Sequence, residues 1–433
     1  MNNVESNPKI FDKLKEDFRQ GRTLLTFTTL QTTGAILRMA APLVVAWLFS
    51  ESMWNRYSLC EPVIFFFSAL LILSAKTPFI IFANQERNET GVIRKTFSIQ
   101  CIFLATSVSL FLFVIGVFGT FIASIAKIDR IELIFLSLAF FGFVIKDFAS
   151  NLFMALNRRT ANAILEFSFG TLTLAFIAMF YFLKWIDLKT IFLSYFFASL
   201  LVLGVTLLVI DFKVLSPLVF DYRQFREMLD FTLWMIAGTV SSTVIGSIGL
   251  YALRYFAASM ENAPGTYNLA YKFFKGFTIL IYIIPSYFLP HISANIRKPE
   301  KMRAYLFHKR PLVLFLGVTG FALAWIFMPY FLNLFYHNKY DDVGFLLRIF
   351  LIGNVVFLYT AMYGPILGAL KIYKFQQIVA LSQLVVNFVL SLLLIPRFNL
   401  VGAALATVLS YFYLAIVYEY YYRKKLKRLV LQR

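Results

Sequence analysis

The stretch Thr266–His291 reads TYNLAYKFFKGFTILIYIIPSYFLPH. It is long enough to cross a bilayer, which takes about 20 mostly apolar residues. Yet Lys272 and Lys275 lie inside it, three apart and so on one face of a helix. An ammonium near the middle of a membrane costs roughly 2.5–3.5 kcal/mol on insertion scales. Both lysines must therefore face water, protein or a charged ligand. The stretch has an echo. From Arg56 the chain reads RYSLCEPVIFFFSALLILSAKTPFIIFANQ, which sets Tyr57-x-Leu59 on Tyr267-x-Leu269, 210 residues apart.

A second echo runs elsewhere. AlaLeu at 155–156 falls on AlaLeu at 369–370, an offset of 214, and Asn162, Ile164 and Ser168 then meet Gln376, Ile378 and Ser382. Two close offsets in different spans indicate an internal repeat.

The 433 residues are 60% hydrophobic and 15% charged, which marks a polytopic all-α membrane protein. Twelve apolar spans are expected, near 23–49, 57–83, 96–125, 131–156, 161–183, 189–210, 227–258, 265–290, 311–336, 343–370, 376–395 and 400–422. The expected organisation is a cytoplasmic segment 1–22, an N-lobe of six spans over 23–210 and a cytoplasmic linker over 211–227. A C-lobe of six spans over 228–422 and a basic tail over 423–433 complete it. Six spans per half gives both halves the same orientation, so the repeats are parallel, a known transporter plan with a central cavity. Segment 1–22 carries Ile10, Phe11, Leu14 and Phe18 at helical spacing, which suits either a surface helix or a frayed tail. It lacks the apolar core of a cleavable signal.

With the N-terminus inside, the inner connecting segments hold 27 Lys and Arg and the outer ones 7. That excess fixes both termini in the cytoplasm. The net charge of +19 is therefore mostly a topology signal and not a nucleic-acid site. Cys60 and Cys101 fall in apolar spans and imply no disulfide.

Seven basic residues remain inside spans: Arg38, Lys76, Lys146, Arg254, Lys272, Lys275 and Arg348. Lys76, Arg254 and Arg348 lie near span ends, where a snorkelling stem competes with a cavity role. The clear intramembrane acids are Glu61, Asp147 and Glu166. Lys146 and Asp147 are neighbours, but adjacent helical residues diverge by about 100° and need not pair. The excess of cations suits an anionic ligand such as a diphosphate, which guanidinium groups bind bidentately. Arg38, Lys146, Arg254, Lys272, Lys275 and Arg348 are the candidate substrate-binding residues. Asp147, Glu166 and Glu61 are candidate ion-coupling carboxylates, with salt-bridge partner as the competing role.

Catalytic signatures are missing: there is no phosphate loop, and His291, His308 and His337 make no metal set. The chain reads as a transporter and not an enzyme, with no cofactor and no metal. Short outer loops argue against a membrane glycan polymerase. A drug or organic-ion exporter is the main alternative, and it would want an acidic cavity.

LLLIPRFNLVGAALATVLSYFY, Leu392–Tyr413, resembles the IP-x-x-G-x-x-GAA-x-AT signature of polysaccharide and O-antigen flippases through Ile395, Pro396, Gly402, Ala403, Ala404, Ala406 and Thr407. It departs at Asn399, where glycine is usual. Gly265, Tyr267 and Ala270 match that family's G-x-Y-x-x-A element. These flippases belong to the multidrug/oligosaccharidyl-lipid/polysaccharide exporter superfamily. The resemblance implies two bundles in a V around a cationic cavity in a bacterial inner membrane. It implies translocation of an undecaprenyl-diphosphate-linked oligosaccharide from the inner to the outer leaflet, driven by H+ or Na+, for O-antigen, capsule or exopolysaccharide assembly. Membrane lipids and glycan polymerase or chain-length machinery are the implied partners.

Overall fold

Apolar runs of this length satisfy their backbone groups inside a bilayer only as helices or closed barrels. The computed structural model, which describes residues 29–426 apart from 258, 296–297, 337–338 and 371, contains no strand among those residues. The segment 1–22 and the tail from 427 lie outside the described residues.

In chain order, α1 covers 29–48. Helix α2 (Glu51–Ser68) passes through a wide π-helical turn at Ala69–Leu73 into α3 (Lys76–Thr90). Then come α4 (Arg94–Ala126), α5 (Arg130–Ala155), α6 (Arg159–Phe182) and α7 (Leu188–Val209). The second half has α8 (Tyr222–Phe256), α9 (Ala263–Asn295), short α10 (Pro299–Ala304) and α11 (Arg310–Tyr336). It ends with α12 (Asp341–Ala361), short α13 (Gly364–Ala369) and α14 (Tyr373–Tyr421). Among the described residues, eight helical stretches are long and apolar enough to cross a membrane, so the protein is a multi-pass membrane protein.

Polar caps set the helix ends. Asp129 accepts from the Glu132 amide at 2.6 Å, while the Glu132 carboxylate accepts from the Asp129 amide at 2.9 Å. This reciprocal box starts α5. Asp187 and Thr190 start α7 in the same way, and Asp221 caps α8. Helix α3 ends on Gly91 at φ 76°.

The expected spans 376–395 and 400–422 are the two arms of α14. Asn399 breaks it at φ 48°, ψ −123°. A side chain is strained there and glycine is not, which explains why the resembling signature has glycine at that position. Gly402 answers a close approach: a Cβ there would stand 2.3 Å from the Leu394 carbonyl oxygen.

Helix α5 packs on α6 and α7, α8 on α14, and α9 on α12 and α13. The two halves of the chain meet where α2 lies against α8 and α9. Trp54 is fully buried at that seam, and Tyr57 and Tyr267 are fully buried within their own halves.

Candidate functional site: a charged cavity between the halves

One end of the seam is closed by hydrogen bonds. Trp54 Nε1 donates to the Gly265 carbonyl at 2.8 Å. The Gly265 amide donates to Asn55 Oδ1 at 3.0 Å, and Asn55 Nδ2 to the Glu261 carbonyl at 2.8 Å. Asn55 and Gly265 stand 210 residues apart, the offset of the sequence repeat. The end of α1 is held similarly, with Tyr336 donating to the Leu43 carbonyl at 3.2 Å and Lys339 to the Ala46 and Phe49 carbonyls. Lys127 reaches Glu261 at 2.5 Å and holds that carboxyl below its usual range, mainly by the hydrogen bond it donates.

Behind this closure lies a cavity of about 370 Å3, lined in part by Arg38, Glu61, Lys146, Asp147, Lys272 and Lys275. The first half supplies Arg38, Glu61, Lys146 and Asp147, and the second supplies Lys272 and Lys275.

Glu166 is the hub of the first-half charges. Arg38 Nη1 lies 2.8 Å from its Oε2 and Lys146 Nζ 3.2 Å from its Oε1. Close helix packing makes this reach possible. A Cβ on Gly34 would stand 2.8 Å from the Phe167 amide nitrogen, and one on Gly170 2.9 Å from Leu37 Cβ. Small residues at such a crossing let α1 and α6 approach in a membrane. Lys146 also pairs with Asp147 at 2.6 Å. The helical divergence between neighbours is overcome by the flexible lysine stem, which folds back onto the carboxylate.

Lys272 pairs across the seam with Glu61 at 2.5 Å and lies 5.7 Å from the centre of the Phe65 ring. Glu61 also accepts from the Tyr57 hydroxyl at 3.4 Å, and Tyr57 meets Tyr195 at 3.0 Å. Lys275 donates to the Ser242 carbonyl at 3.0 Å and sits over the Tyr271 ring. Asn268 lines the cavity with a buried Nδ2 that has no partner among the described residues.

The remaining candidates lie elsewhere. Arg254 is half-buried in the last turn of α8, within electrostatic reach of Glu261. Arg348 lies 4.8 Å from the centre of the Trp325 ring and donates to the Trp325 carbonyl at 3.3 Å. Neither lines the cavity. Lys76, placed near a span end by sequence, lies within electrostatic reach of Glu166 and Lys146. Span position could not reveal this, because the α2–α3 turn decides where Lys76 points. Tyr57, Tyr195 and Asn268 carried no sequence signal, since single polar residues in apolar helices look alike whichever way they face.

No family model matches the chain. A segment is 25% identical over 217 residues to the capsular polysaccharide biosynthesis protein CapF of Staphylococcus aureus, covering 47% of this chain and 52% of that one. Another is 22% identical over 215 residues to an uncharacterized membrane protein of Methanocaldococcus jannaschii, covering 49% and 42%. The chain thus spans about half the length of the curated relatives it matches. Among solved structures, the lipid II flippase MurJ in an inward closed conformation aligns with TM-score 0.73 at 12% identity, covering 94% of this chain and 89% of that one. An inward-facing multidrug resistance transporter of the MATE family, MOP superfamily, aligns with TM-score 0.70 at 15% identity, covering 91% and 98%. An outward-facing MATE transporter of that superfamily aligns at 0.64 and 15% identity, covering 94% of both chains.

This chain therefore has the same fold as that flippase and those two transporters.

Proposed function

We propose that this protein is a flippase for a polyprenyl-diphosphate-linked oligosaccharide. On this reading twelve spans form two six-helix lobes with both termini in the cytoplasm of a bacterial inner membrane. The closure that joins α2 to α9 then faces outward, and the cavity opens toward the cytoplasm.

The carrying observation is that cations from both halves, Arg38 and Lys146 with Lys272 and Lys275, converge on one cavity at their seam. A buried charge needs a partner. Glu61, Asp147 and Glu166 provide it. They hold the cations as stand-ins for the arriving anion. A diphosphate offers several acceptor oxygens and can take over Lys272, Lys275 and the Asn268 amide together. Exchanging Glu61 for phosphate at Lys272 removes the one ion pair described here between α2 and α9. Substrate binding would thereby bias the lobes toward opening outward, as differential contacts require. A carboxylate released in this way is placed to take up H+ or Na+.

A second reading, export of an organic cation, draws on the same three carboxylates. Liposome transport separates the two. Reconstituted protein should expose a fluorescent lipid-diphosphate oligosaccharide on the far leaflet, and Lys272→Ala with Lys275→Ala should slow this at least tenfold with the fold intact. Transport of organic cations, with no lipid-linked sugar moved, would reverse the assignment.

A further inference from the structure

A second cavity, of about 510 Å3, lies within the second half of the chain. This volume is typical of small-ligand sites. Its chemistry differs from that of the seam cavity. Among its described lining residues none is charged, and Gln376, Gln377, Gln383, Thr239 and Thr360 supply amides and hydroxyls. Tyr282, Phe357, Tyr411 and Tyr418 supply rings. The Tyr282 and Phe357 centroids are 5.1 Å apart, and Phe357 and Tyr411 5.5 Å. Tyr282 is 55% exposed and belongs to the cavity lining.

The polar groups are expensive where they stand. A buried amide without full hydrogen bonding costs several kcal/mol in an apolar medium, and polar groups inside a membrane protein by default mark function. Helix α14 nevertheless carries Gln376, Gln383 and Asn387 at spacings of seven and four, which share a face. Gln383 is 5% exposed and its Nε2 makes a long contact of 3.5 Å to Ser410 Oγ. Asn387 is fully buried, and neither of its side-chain polar atoms has a partner among the described residues. Gln377 lies directly against the α8 backbone, since a Cβ on Gly238 would stand 1.8 Å from its Oε1.

The occupant must therefore be uncharged, rich in hydroxyl or amide groups, and carry apolar faces that sit on rings. A lipid tail would leave the amides unpaired, and an anion or cation would find no countercharge. A sugar ring meets all three demands. Ser242 lines both cavities, and its carbonyl accepts from Lys275.

We infer that this cavity is a glycan subsite: it holds the first sugar units of the substrate while the diphosphate sits on Lys272 and Lys275. This rests on the lipid-diphosphate reading above and adds where the sugar is held. Amides, each with two donors and an acceptor, then discriminate among sugars by hydroxyl pattern.

The test compares bare undecaprenyl diphosphate with undecaprenyl diphosphates carrying glucose, galactose or N-acetylglucosamine, titrated onto the full chain in nanodiscs. At least one sugar should raise affinity tenfold or more over the bare lipid. Gln377→Ala with Thr360→Val should abolish that gain while leaving bare-lipid affinity unchanged, whereas Lys272→Ala should weaken every ligand. A gain that survives in the Gln377 and Thr360 variant, or no gain with any sugar in the unaltered chain, overturns the subsite and leaves the anion cavity standing. Failure of the unaltered chain to bind even the bare lipid overturns the lipid-diphosphate reading, and the subsite with it.

Discussion

Glu61 of α2 and Lys272 of α9 form an ion pair of 2.5 Å across the seam between the two halves of the chain. Each is the other's charge compensation. Removing one partner of a buried pair costs about 3–5 kcal/mol, because the survivor stays buried and uncompensated. The residual exposure of Lys272, 18% of its side chain, reduces this. Glu61→Gln and Lys272→Met should each destabilise the protein by about 1–3 kcal/mol, and the double variant by less than their sum. Thermal unfolding of the four proteins in detergent gives the coupling, and strict additivity would mean the pair contributes nothing.

Glu166 is a different case, since it serves two cations. Glu166→Gln leaves Arg38 without its carboxylate, while Lys146 keeps Asp147. We expect destabilisation of about 2 kcal/mol and recovery of most of it by adding Arg38→Gln. Loss of transport in Glu166→Gln with recovery in the pair would place these residues in structure. Continued loss would place Arg38 on the substrate.

The break in α14 gives opposite signs at two nearby positions. Asn399→Gly relieves a positive φ and should stabilise by about 1 kcal/mol. Gly402→Ala drives a methyl into the Leu394 carbonyl and should destabilise by about 1–3 kcal/mol. Melting temperatures settle both, and a less stable Asn399→Gly would show that the asparagine side chain is needed there.

Two carboxyls outside the spans set the acid response. Glu261 is held low by Lys127, and Asp221 by a hydrogen bond from Lys95. A depressed carboxyl adds stability above its ordinary pKa and loses it as pH falls through its folded value. Their contributions are present at neutral pH and disappear below the ordinary values of 4.5 and 3.8. Both pairs are exposed, so the effect is small and screened by salt. The melting-temperature difference between the unaltered chain and Glu261→Gln should therefore shrink on acidification from pH 6 to pH 3. A difference independent of pH would contradict the assignment.

The helices were legible because a membrane imposes length and apolarity on each of them. Lys272 and Lys275 stood out because a charge in such a span demands a reason. Which charges meet was not legible. Arg38 reaches Glu166 through a helix crossing set by Gly34 and Gly170, 136 residues apart, and no local pattern encodes that contact. Arg254 and Arg348 stand nearer span ends than Arg38, but that position alone left a cavity role open for them, and the structure puts neither on the cavity. The Gln377 cavity was invisible for a related reason: amides carry no charge, and neutral polar residues scattered in apolar helices raise no alarm until they face one space.

The closure at the ends of α2 and α9 draws mainly on amides, an indole and main-chain carbonyls. Each such bond is worth only about 0.5–1.5 kcal/mol net, because water offers nearly the same bond. A latch made this way lets go where solvent reaches it, one contact after another. It parts with little penalty, and it is largely indifferent to ionic strength. Apart from the Lys127–Glu261 and Lys95–Asp221 pairs, the ionic contacts described above lie deeper, around the cavity. On the flippase reading proposed above, such a gate would be cheap to unfasten, and control over when it does so would reside with whatever occupies the interior.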